Sequence, residues 1–121
     1  EINIGDWSSD VCSSDLLLRN SWDYQGLIIT DSLIMKALDI YAPSIEEKAL
    51  LALNAGCDLL CLGGKLLNEP AQDEFTVEDI LRIHSYLVEA VKSGRYPEEK
   101  LNASFERIRH AKRKLLEQFR M

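Results

Sequence analysis

Two short apolar runs constrain this chain more than any other feature. Gly26-Leu27-Ile28-Ile29-Thr30 and Asp58-Leu59-Leu60-Cys61-Leu62 show no alternation of polar and apolar positions. A strand wetted on one face alternates with a period of two. A continuous apolar run therefore reads as a strand covered on both faces, as in parallel sheets. Helical signals surround both runs. Leu17 to Trp22 reads as the last turns of a helix, and Asp23-Tyr24-Gln25-Gly26 supplies turn chemistry. Ser44-Ile45-Glu46-Glu47 has capping-box spacing and predicts a helix to about Asn54 that buries Ile45, Ala49, Ala52 and Leu53. Gly56 suits the left-handed residue after it. Thr76-Val77-Glu78-Asp79 starts a helix with Ile80, Ile83, Leu87, Val88 and Val91 on one stripe and Gly94 at its end. Pro97 opens a last helix whose stripe is Leu101, Phe105, Ile108, Leu115 and Phe119. Strands alternating with amphipathic helices predict an α/β fold with a parallel sheet. Two parallel strands cannot form a sheet covered on both faces, so the chain reads as a piece of a larger architecture.

Residues 1–16 differ from the rest of the chain. They hold four acids and no base, repeat Ser-Ser-Asp, and show no apolar period. The stretch Asp6-Trp7-Ser8-Ser9-Asp10-Val11-Cys12-Ser13-Ser14-Asp15-Leu16 resembles the in-frame translation of a DNA-sequencing adapter, and Glu1 to Gly5 an index region before it. The competing reading is a natural polar loop. Residues 1–16 are accordingly expected to be an artefactual leader outside the fold, and residues 17–121 the natural part. Those 105 residues hold 16 acids, the chain's 20 less the leader's 4, against 14 bases, a net charge of -2. The acidic balance argues against a nucleic-acid-binding domain. No apolar run approaches the roughly 18 residues of a membrane span.

Reactive groups of parallel α/β folds gather at the carboxyl ends of the strands. Asp31 stands at the end of the first run, ahead of a loop from Ser32 to Pro43. There a carboxylate can be partly desolvated yet reachable by substrate. The competing role is a cap on the following turn, through an Asx-turn.

Gly26-Leu-Ile-Ile-Thr-Asp31-Ser-Leu-Ile-Met35-Lys-Ala37 closely resembles the nucleophile segment of family 3 glycoside hydrolases. Its strand-Asp-Ser-Leu-x-Met form is similar to the β-N-acetylhexosaminidase branch; the β-glucosidase branch more often has Ser-Asp-Trp where this chain has Thr30-Asp31-Ser32. Glu47 to Asp58 with Leu-Leu-Cys-Leu, and Ala90 to Leu101 with Arg107-Ile108, resemble the family's next helix and strand and its closing helices. The resemblance implies a C-terminal fragment of a (β/α)₈ TIM barrel, about strands seven and eight with their helices. It implies a retaining mechanism with Asp31 as nucleophile, and Ser32 and Met35 beside the sugar. The implied partner is a carbohydrate, an N-acetylhexosaminide such as one derived from peptidoglycan or chitin. The branch's acid/base is a His paired with an Asp, near a Lys-His-Phe-Pro-Gly-type stretch that this sequence lacks. A barrel of this kind needs about 250 residues. The fragment is thus expected to be inactive alone, while its parent releases terminal β-N-acetylhexosamine. A β-glucosidase-type parent is the nearest alternative.

The remaining features are weaker. A strand ending in Asp31 also resembles the phosphoacceptor strand of receiver domains, but the next helix and strand depart from that pattern. A non-catalytic scaffold is a third reading with no specific support. His84 and His110 fall within helices and read as ordinary helix residues. Cys57 and Cys61 lack further Cys or His at zinc spacing, so no metal or cofactor is expected. Both read as buried free thiols, which favours the cytoplasm. Arg107, Arg109, Lys112, Arg113 and Lys114 read as a solvated helix face. Asn102-Ala103-Ser104 matches a glycosylation triplet by chance.

Overall fold

The computed structural model describes residues 14–34, 39, 40, 42–63 and 76–120. Met35, residues 1–13 and most of the loop after the second run lie outside the described residues.

The first element is a π-helical segment, Ser14–Ser21, in which the Trp22 N–H donates to the Leu17 carbonyl at 2.9 Å. It begins inside the stretch 1–16 that the sequence sets aside. Strand β1 covers Ile29–Ser32, helix α1 Ile45–Asn54 and strand β2 Leu59–Cys61. Helices α2, Val77–Lys92, and α3, Glu98–Phe119, complete the chain. The strands pair in parallel, with Ile29 opposite Leu59 and Ser32 opposite Cys61. Three steps along β1 face two along β2, so β1 carries a bulge at Thr30-Asp31.

The helix ends reflect local chemistry. The Ser44 hydroxyl accepts from the Glu47 N–H at 3.2 Å at the start of α1. Thr76 and Asp79 close a full capping box on α2. Gly56 and Gly94, at φ 93° and 82°, take the left-handed conformation that ends α1 and α2. Pro97 is the N-cap of α3 rather than its first helical residue. The core is small: Leu33, Ala49, Ala52, Cys57 and Ile83 are buried, with Ile28, Ile45, Leu60, Leu62 and Leu87 packed against them. Helix α1 lies against α2, where Arg82 also pairs with Glu46.

Two expectations need correction. The first strand starts at Ile29, not Gly26, because the Ile28 carbonyl is where pairing begins: it accepts from both Asp58 N–H (2.8 Å) and Leu59 N–H (3.2 Å). Asp31 therefore lies inside the bulged end of β1. In this two-stranded sheet Ile29 is 63 % and Leu59 37 % exposed. On α3 the apolar stripe is not the buried line. Of the stripe, Ile108 is half-buried and Leu101, Phe105, Leu115 and Phe119 are exposed, whereas Ser104 is buried and Lys100, Arg107 and Ala111 are half-buried. That line is offset from the stripe because Ser104 and Arg107 bond a buried carboxylate, Asp58, and so set the rotation of the helix. Among the described residues no helix is long and apolar enough to cross a membrane.

Candidate active site

The bulge decides where the side chains of β1 go. Thr30 is buried and its Oγ1 accepts the Cys61 N–H at 2.8 Å. The Cys61 carbonyl accepts from the Leu33 N–H at 2.9 Å. Leu33 is fully buried, and burial of such a side chain contributes about 1.5–3 kcal/mol. Thr30 and Leu33, three residues apart, thus both face the core, and Asp31 between them faces solvent. One Asp31 oxygen, Oδ1, accepts the Ser32 N–H at 2.7 Å. The Ser32 hydroxyl donates to the Gly63 carbonyl at 3.0 Å, which ties the end of β1 to the chain leaving β2. The bond to Asp31 comes from the next residue, one position short of an Asx-turn. Among the described residues, none of the ion pairs involves Asp31. The result is an exposed carboxylate at the C-terminal end of a parallel strand, with one oxygen fixed and the other, among the described residues, open.

The opposite end of the strand pair holds a different aspartate. The Asp58 side chain is fully buried. Its Oδ1 accepts from Ser104 Oγ (2.6 Å) and from Arg107 Nη2 (2.8 Å) and Nε (3.0 Å). Its Oδ2 accepts from Arg19 Nη2 (2.7 Å) and the Ile28 N–H (3.1 Å). Arg19 also donates to the carbonyls of Tyr24, Gly26 and Gly56. Burial pushes the Asp58 carboxyl upward, but the Arg107, Ser104 and Ile28 hydrogen bonds outweigh it and hold it below its ordinary value. Asp58 thus joins the π-helical segment, both strand entries and α3 at one point.

This clamp revises two sequence readings. Arg107 is not part of a solvated face, and Ser104 of the glycosylation triplet is buried against Asp58. The cysteines differ as well: Cys57 is buried and Cys61 exposed. Burial, reinforced by the Asp58 charge, pushes the Cys57 thiol up to about 11. His84 and His110 are exposed on α2 and α3. Sequence reasoning passed over Thr30 and Asp58. The one available signal was a polar residue at the border of each apolar run.

Residues 7–111 match the family model described as the glycosyl hydrolase family 3 N terminal domain. The chain belongs to glycosyl hydrolase family 3. No curated protein and no solved structure matches it. The family match spans both strands, Asp31 and the Asp58 clamp, and takes in residues 7–16 of the stretch that the sequence sets aside. Membership of glycosyl hydrolase family 3 points to a glycoside hydrolase, with carbohydrate as the substrate class.

Proposed function

We propose that the chain is the C-terminal part of a (β/α)₈ barrel in a retaining β-N-acetylhexosaminidase, with Asp31 as its nucleophile. The observation that carries this reading is the exposed Asp31 carboxylate at a parallel strand's C-terminal end, anchored through Oδ1 by the Ser32 N–H. Its open oxygen attacks the anomeric carbon as the bond to the leaving oxygen breaks, and a proton from an acid elsewhere in the full-length enzyme goes to that oxygen. Water activated by the same group then attacks the anomeric carbon, and the glycosyl–Asp31 bond breaks. Retaining geometry requires the two groups about 5–5.5 Å apart. The acid/base is the His–Asp pair of an earlier barrel loop. Ser32 holds the end of β1 beside Asp31.

Anomer-resolved proton NMR of the full-length enzyme's first product, on aryl N-acetyl-β-glucosaminide and aryl β-glucoside, tests the proposal. The expected result is a β-configured first product and a kcat/KM at least about tenfold higher for the N-acetyl substrate, since a site built to bind the acetamido group leaves polar atoms unpaired without it. An α-configured product would refute the retaining mechanism. Preference for the glucoside would move the enzyme to the β-glucosidase branch.

A further inference from the structure

We infer that Thr30 is a positioning residue for Asp31, acting by holding the β1 bulge through its hydroxyl; the inference rests on Asp31 being the nucleophile. At the bulge the Cys61 N–H donates to Thr30 Oγ1 at 2.8 Å, and the displaced register gives β1 one residue more than β2. The extra residue lets Thr30 and Leu33 share the core side, and it leaves Asp31 facing out. Strand side chains alternate, so a regular β1 would place Asp31 and Leu33 on one face. Either the leucine would leave the core or the carboxylate would enter it. The hydroxyl reinforces the bulged arrangement, because it accepts the Cys61 amide proton at the bulge. The Leu33 N–H to Cys61 carbonyl bond closes the far side of the same bulge. Thr30 is buried beneath Asp31 and acts only through the direction it imposes on the next residue.

The test is isosteric. Thr30→Val keeps the branched shape and removes the hydroxyl; Thr30→Ser keeps the hydroxyl and removes the methyl group. In the full-length enzyme, each variant is assayed well below its own Tm for kcat, KM and the rate of glycosyl-enzyme formation. Thr30→Val is expected to lower kcat about 100-fold, the cost of a misplacement near 1 Å, with KM within about twofold. Thr30→Ser is expected to stay within about threefold of the parent in kcat. Amide exchange at Cys61 should be faster in the valine variant and unchanged in the serine variant. A valine enzyme with parental kcat overturns the inference. So does a serine variant that loses more than about tenfold, and that result is decisive even if Thr30→Val fails to fold. If the covalent intermediate of the parent forms on a residue other than Asp31, the nucleophile reading falls instead, and Cys61 exchange still reports whether the hydroxyl holds the bulge.

Discussion

Asp31 and Asp58 occupy opposite ends of the same pair of strands, and their surroundings could hardly differ more. Asp58 is fully buried and accepts from two guanidinium groups, a hydroxyl and a backbone amide. Asp31 is exposed and accepts from one neighbouring amide. A carboxylate whose lone pairs are saturated by fixed donors has nothing left for a substrate; it joins elements. A carboxylate with one free oxygen at the mouth of a strand pair can react. On the proposed reading, one residue type serves stability at one end and chemistry at the other, and the donor set around it decides which.

Substitutions at the two positions should therefore separate cleanly. The largest effect belongs to Asp31→Asn, which should lower turnover of the full-length enzyme by about 10⁴-fold, the scale of removing a reacting group. Its urea midpoint should stay near the parent's, because no buried partner is lost. A large stability loss there would turn Asp31 into a second structural aspartate and end the contrast. Asp58→Asn should do the reverse. Removing one charge from a buried pair costs about 3–5 kcal/mol, because Arg107 and Arg19 are left uncompensated. Urea unfolding measures it, and a loss below about 1 kcal/mol would show that solvent reaches the clamp. Adding Arg107→Leu to Asp58→Asn should cost less than the sum of the two single changes.

The pH dependence sharpens the same comparison. The Asp58 carboxyl is held below its ordinary value of 3.8, so the folded state favours its ionised form. Its contribution is fully present above that ordinary value and is lost as pH falls through 3.8 toward the folded value. Urea unfolding across acid pH should show this slope, and Asp58→Asn should flatten it. A smaller effect tests the neighbouring residue. The Cys57 thiol is pushed to about 11, so at neutral pH it is buried and protonated, while Cys61 is exposed. A thiol reagent should modify Cys61 promptly and Cys57 only on unfolding. Equal rates would mean that the core beside Asp58 opens freely.

Much of the local structure was legible in the chain. Ser44 with Glu47 and Thr76 with Asp79 announce helix starts because a cap involves residues three apart. Gly56 and Gly94 announce helix ends through their backbone freedom. The position of Asp31 near a strand's end was legible for the same reason, an apolar run broken by an acid. What escaped reading is built across distance. Asp58 meets Arg19 and Arg107 from 39 and 49 residues away, and Thr30 meets Cys61 from 31. No local pattern distinguishes Arg107 from the solvated bases after it. The α3 stripe misled for a related reason. Its spacing marks an apolar face, but the clamp fixes the helix rotation, and Leu101, Phe105, Leu115 and Phe119 remain exposed.

The account rests on Asp31 becoming covalently bonded to sugar. The direct measurement is to treat the full-length enzyme with a slow-releasing 2-deoxy-2-fluoro or 5-fluoro glycoside, digest it, and locate the adduct by mass spectrometry. The account predicts one glycosyl group on the peptide containing Thr30-Asp31-Ser32, with fragmentation placing it on Asp31. A stable adduct on any other carboxylate would contradict it.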